Sequence, residues 1–191
     1  MGAIMSLFSA FGLSTAAGLN AYIPLLTIGL VSRYTDLINL AAPFDILENP
    51  LLLLGIAIIT LLDMIGDKIP AVDHLLHLAG GIIQPVAGAV LFMAANSSTG
   101  FVDPTLAAII GLLAAGVTHG ARAAARPVVT ASTAGLGTPV VSAAEDGAAL
   151  TLSLTAIFAP VIGFSLALLG LIGVGLLLWS FVRRRRSVAR G

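Results

Sequence analysis

The chain has 191 residues, of which 58% are hydrophobic and 9% charged, and its nine basic and nine acidic residues cancel formally. A soluble domain carries about a quarter charged residues, so with a mean hydropathy of +1.08 this composition excludes a water-soluble globule. The absence of cysteine excludes disulfides and thiolate metal sites.

Crossing a bilayer takes about 20 apolar residues, and six stretches meet or approach that length. The first runs from Gly2 to Val31, interrupted by Gly18-Leu19-Asn20 and Pro24. No Lys or Arg precedes Arg33, so a cleaved leader with a basic start is not expected. The second runs from Leu51 to Asp67, and the third from Ala71 to Ala95 with Gly80-Gly81 and Pro85 inside it. The fourth spans Pro104 to Thr130, the fifth follows Gly135 to Pro139 and reaches Phe158, and the sixth runs from Pro160 to Val182. Helix is the default for each, because an open strand edge cannot be satisfied in lipid. The expected fold is therefore all-α: one polytopic transmembrane domain over residues 1–182, about six spans with broken first and third helices, then a basic tail over 183–191. The frequent Gly and Ala let helix backbones approach closely, and Gly163, Gly170, Gly173 and Gly175 offer faces for packing within the chain or in a homo-oligomer.

Arg183 to Arg186 and Arg190 mark a cytoplasmic C-terminus by the positive-inside bias. Six spans then put the N-terminus inside too, with Tyr34 to Pro50 and Asn96 to Asp103 outside. The remaining charges collect near the inner face. Asp63, Asp67 and Lys68 end the second helix, Asp73, His74 and His77 open the third, His119, Arg122 and Arg126 lie on the fourth, and Glu145 and Asp146 open the fifth.

Thr60, Asp63 and Asp67 share one helix face at i, i+3, i+7, and His119, Arg122 and Arg126 repeat that spacing. Asp73, His77 and Gln84 make a third stripe. Arginine favours paired geometry with carboxylates, and an unpaired charge at this depth costs at least about 2.5 kcal/mol. Acids on one helix and arginines on another therefore predict a buried network. The plainer reading is that charges at helix ends snorkel to headgroups, that Glu145-Asp146 at a helix start suits the macrodipole, and that the arginine run anchors the chain beside anionic lipid. Asp73, His74 and His77 could supply metal ligands, but no zinc signature accompanies them, and the preferred role for these histidines is proton-sensitive.

Asn20 offers a polar group in the broken first segment, and transporters place binding sites at such breaks. An offset of 103 residues aligns Thr15 with Thr118, Ala21 with Ala124, Pro24 with Pro127 and Thr27 with Thr130, which suggests a 3+3 inverted repeat.

Asp63, Asp67-Lys68-Ile69-Pro70-x-x-Asp73, Pro85-x-Ala87-Gly88-Ala89, Thr118-His119 with Arg122 and Arg126, and Ser142 with Glu145-Asp146 together resemble the bacterial domain-of-unknown-function family 4126. The likeness covers most of the chain to about Gly147 and includes Gly18 to Leu26. Family members often have Glu at the position of Asp63 and Lys at that of Arg122, and Ala131 to Gly137 replaces a polar stretch. The resemblance implies a multi-pass protein of the bacterial plasma membrane and singles out these residues without implying an activity. Asp63-Met64-Ile65-Gly66-Asp67-Lys68 is also similar to the acidic motif of small cation/proton exchangers, with the first acid one residue out of register and Ile69 in place of a hydroxyl residue.

Three functions follow as expectations. The first is a small secondary transporter or exchanger of an ion or solute, with Asp63, Asp67 and Asp73 taking the proton or cation and Arg122 and Arg126 as counter-charges. The second is a protein that binds or moves an anionic lipid or anion through His119, Arg122, Arg126 and Lys68. The third is a scaffold or accessory subunit whose charges fix helix register. No catalytic motif, cofactor or nucleic-acid partner is expected. The candidate site residues are Asn20, Asp63, Asp67, Lys68, Asp73, His77, His119, Arg122, Arg126, Glu145 and Asp146.

Overall fold

The structure, a computed structural model, describes residues 2–66, 70–134 and 136–188, with the side chains of 70–78, 177–178 and 180–188 outside the description. The described residues form seven α-helices: α1 (Ala3–Ala17), α2 (Tyr22–Tyr34), α3 (Pro50–Gly66), α4 (Pro70–Asn96), α5 (Pro104–Thr133), α6 (Thr138–Phe158) and α7 (Pro160–Val188). A 3-10 turn at Phe44–Glu48 sits between α2 and α3. Proline opens α3, α4, α5 and α7, where its missing N–H leaves no helix bond unmade.

By length and composition, segments Ala79–Asn96, Pro104–Thr133 and Thr138–Phe158 are sufficient to cross a membrane, and Ala3–Ala17, Pro50–Gly66 and Pro160–Leu176 are shorter apolar helices. The outer face of α3 is oily, with Leu51, Leu54, Ile58, Leu61, Leu62 and Ile65 all exposed. Water would reject such a surface and hydrocarbon accepts it. The interior is held by Leu13, Ile28, Leu91, Phe92 and Ile157, each fully buried. This is an all-helical membrane bundle.

The interruption in the first apolar stretch reverses the chain. At the start of α1, the Ser6 hydroxyl lies 3.0 Å from that of Thr99, between α4 and α5. After α2, the Ala41 N–H donates to Ser97 Oγ at 3.0 Å. The beginning of α1 and the end of α2 therefore occupy one end of the bundle, and the turn between them points down inside it. Asn20 makes that turn: its Oδ1 accepts from the N–H groups of Tyr22 (3.0 Å) and Ile23 (3.3 Å), capping α2. Pro24 falls in the first turn of α2, where proline is tolerated. α1 and α2 form a helical hairpin.

This corrects the expected topology. Phe8 stacks on Phe164 near the start of α7, ring centroids 4.5 Å apart. Thr15 and Leu19 meet the later α7 residues Ala167, Leu171 and Val174 around one cavity. α1 and α7 thus run in the same direction, so the two chain ends lie at opposite ends of the bundle and not at the same one. α3 runs beside the hairpin to the level of its tip, where Asp63 meets Asn20, and α4, α5 and α6 extend beyond it. α1 runs from Thr99 towards Thr118 and is therefore parallel to α5.

The third apolar stretch is not broken. α4 is continuous through Gly80, Gly81 and Pro85, because in an apolar environment unmaking neighbouring backbone bonds costs more than the single bond that Pro85 removes. At the C-terminal end, α7 continues through Arg183–Arg186 to Val188, as arginine is a good helix former.

The α5 N-terminus carries an Asp103 cap, its Oδ1 accepting from Thr105 N (2.9 Å) and Leu106 N (3.3 Å). Asp103→Ala is expected to cost about 1 kcal/mol, read as a lower thermal midpoint in detergent; an unchanged midpoint would show that the cap contributes nothing.

Candidate functional site

The tip of the hairpin lies in a polar cluster to which α3, α4, α5 and α6 each contribute. Asn20 is buried at 2% exposure. With its oxygen held by the α2 backbone, its Nδ2 faces outward from the turn and donates to Asp63 Oδ2 at 3.0 Å and to Asp146 Oδ1 at 2.9 Å. An amide nitrogen has two hydrogens, and each is aimed at one carboxylate. Asp63 is late in α3 and half-buried, whereas Asp146 is buried.

A second group fixes the preceding residues. Arg122 donates from Nη1 to the Leu19 carbonyl at 2.7 Å and from Nε to Glu145 Oε2 at 2.6 Å. The same Glu145 oxygen takes Arg126 Nη2 at 2.8 Å, and that nitrogen also donates to Ser142 Oγ at 2.8 Å. All three charged side chains are mostly buried. Glu145 is two turns into α6, since the helix opens at Thr138. The macrodipole reading of Glu145-Asp146 therefore fails, because that effect is confined to the first turn. These acids are members of the network.

Gln84 connects the parts. Satisfying its neighbours orients the amide so that its nitrogen donates to His119 Nδ1 (2.5 Å) and the Gly18 carbonyl (2.8 Å), while its oxygen accepts from Arg122 Nη1 (2.9 Å). In that orientation His119 Nδ1 is an acceptor, which places the ring proton on Nε2. The imidazole sits over Gly80 and Gly81: a Cβ on Gly80 would come within 3.3 Å of Cε1, and one on Gly81 within 3.8 Å of Nε2. The glycine pair, expected to break a helix, is a seat for this ring.

Of the expected site residues, the structure brings together Asn20, Asp63, His119, Arg122, Arg126, Glu145 and Asp146. Asp67 and Lys68 lie outside the described residues, as do the side chains of Asp73 and His77, whose backbone belongs to α4. Thr60, on the expected stripe with Asp63, turns its hydroxyl to its own helix at Ile56 O. Gln84 and Ser142 were not among the candidates, although a buried glutamine in an apolar stretch is itself a signal. The carbonyls of Gly18 and Leu19 left no trace in the sequence beyond the break. Among the described residues, no group of three His, Cys, Asp or Glu is arranged to hold a metal ion.

A cavity of about 410 Å³ adjoins the tip, lined by Thr15, Leu19, Thr118, Leu152, Ala167 and Leu171 among others. Thr15 and Thr118 turn their hydroxyls back to Phe11 O and Ala114 O in their own helices. What faces the cavity is apolar.

Fold and site together define a helical membrane protein with a helical hairpin whose tip is held by buried ionisable side chains. The chain belongs to the family described as Domain of unknown function (DUF4126), which it matches over residues 7–182. No curated protein and no solved structure matches it.

Proposed function

We propose that this protein is a small secondary transporter or exchanger, coupled to protons or cations, of the bacterial plasma membrane. The observation that carries the reading is Asn20 at the hairpin tip, bridging Asp63 and Asp146 while Arg122 grips the adjacent Leu19 carbonyl. Irregular backbone at membrane depth is tolerated where it is buried in protein or lines a cavity, and transporters use such breaks to bind substrate and ion. Here the break and the ionisable pair coincide, and an apolar cavity adjoins the break at Leu19. The arginine run at the end of α7 favours the cytoplasmic side. The N-terminus then faces outward, together with the loops at 35–49 and 97–103, and the cluster sits towards the cytoplasm.

The anion-binding alternative has less support. Both guanidinium groups already serve Glu145, Ser142 and the Leu19 carbonyl, so a phosphate would have to displace a buried carboxylate.

Flux in proteoliposomes tests the proposal. Wild-type protein is expected to move protons, or cations such as sodium, calcium or manganese, faster than empty liposomes. Asp63→Asn and Asp146→Asn are each expected to lose at least about 90% of that flux while eluting as folded protein. Wild-type flux equal to that of empty liposomes would remove the transport reading.

A further inference from the structure

We infer that the cavity beside the hairpin tip is a binding site for one acyl chain of a bilayer phospholipid, which enters sideways between α6 and α7. The inference does not depend on transport; it rests on where the cavity opens and what lines it. Its lip is exposed, with Gly147 and Ala148 on α6 and Leu166 and Gly170 on α7. These residues lie well inside their helices, Thr138–Phe158 and Pro160–Val188, so the opening is on the flank of the bundle and not at an aqueous end. The surface around it is oily, since Leu150 and Leu154 on α6 and Leu169 and Ile172 on α7 are exposed. The opening is therefore continuous with the face that the bundle presents to hydrocarbon.

The lining decides the occupant. Thr15, Thr118 and Thr151 each donate the hydroxyl hydrogen within their own helix, to Phe11 O, Ala114 O and Gly147 O. The Leu19 N–H is bound to Ala16 O and the Leu19 carbonyl to Arg122. Water needs several polar partners, and an apolar cavity without them stays dry. A polar or ionic solute would give up its hydration there and gain nothing in exchange. At about 410 Å³, the space is well above the roughly 150 Å³ at which a dry apolar cavity takes up benzene. Left empty, it would forfeit dispersion contacts along its whole lining, and the medium at its mouth is hydrocarbon. A flexible acyl chain fills it from that side. The chain then packs against the hairpin tip at Leu19, the residue whose carbonyl Arg122 holds.

The test uses the full chain in nanodiscs made with a phosphatidylcholine that carries a photoreactive diazirine on one acyl chain, with adducts mapped by mass spectrometry after illumination. Adducts are expected on Thr15 and Ala167, which line the cavity but are buried, as well as on exposed residues such as Leu169. A Cβ added at Gly147 or Gly170 has nothing within 4 Å, so Gly147→Leu with Gly170→Leu narrows the mouth without collision. That double variant is expected to lose the adducts on Thr15 and Ala167 several-fold and to keep those on Leu169. Gly55→Leu, equally unobstructed on α3, is expected to change neither. Wild-type protein labelled only on exposed residues overturns the inference, whether the space is then empty or filled by a second copy of the chain, and that result needs no variant to fold. Adducts on Thr15 and Ala167 that persist undiminished in a double variant melting like wild type overturn it as well.

Discussion

Replacing Glu145 by alanine is expected to lower the unfolding free energy by about 3–5 kcal/mol, the usual cost of removing one member of a buried ion pair. The reason is the asymmetry of the cluster. One oxygen of Glu145 takes Arg122 Nε at 2.6 Å and Arg126 Nη2 at 2.8 Å, and the three side chains are only 7%, 9% and 14% exposed. Without the carboxylate, two guanidinium groups are left facing each other away from water. Arg122 would be repelled from the position in which it holds the Leu19 carbonyl, so damage at α6 reaches the hairpin. Arg126→Met combined with Glu145→Met removes charge of both signs and is expected to recover at least about 1 kcal/mol relative to the sum of the single changes, the coupling typical of contacting residues. Denaturant titration in micelles measures all three variants. If their effects add to within about 0.5 kcal/mol, the triad is not a coupled unit.

The sequence made the helices legible because hydropathy and proline placement act locally. Pro50, Pro70, Pro104 and Pro160 each open the helix that the pattern predicted. The stripe of His119, Arg122 and Arg126 was also legible, since spacing on one helix is a local property. Gly18 to Asn20 was correctly read as a break, but a kink and a reversal have the same composition. What separates them is the pairing of Ser6 with Thr99 and of Ala41 with Ser97, contacts between segments remote in sequence. The topology turned on that difference, and with it the relative placement of the two chain ends.

The site was half legible for a related reason. Buried charge announces itself in an apolar chain, but its partner does not. Arg122 and Arg126 were matched in expectation with the acids of α3, and Glu145 of α6, which the structure places against both, was not foreseen as their partner. Glu145 and Asp146 are adjacent in sequence and point to different halves of the network, one to the arginines and one to Asn20. Successive helical residues are turned about 100° apart, which allows one turn of α6 to serve both.

Close approach of the backbones is what permits these contacts, and Gly18 is where it is tightest for the hairpin. A Cβ there would lie 2.4 Å from the Ala115 carbonyl oxygen and 2.4 Å from Thr118 Cβ. One of these obstacles is the α5 backbone, which cannot rotate aside as a side chain does, so relief requires moving α1 as a whole. Such a shift draws Gly18 O away from Gln84 and Leu19 O away from Arg122. Gly18→Ala is therefore expected to destabilise the protein by about 1–3 kcal/mol and to abolish whatever activity depends on the tip. Gly120 provides the control, lying on the same α5 with nothing within 4 Å of its would-be Cβ. There the same substitution gains helix propensity, up to about 1 kcal/mol, and opposes no neighbour. Thermal melts of the two alanine variants should move in opposite directions from wild type, and coincident melts would mean that α1 and α5 are not packed this closely.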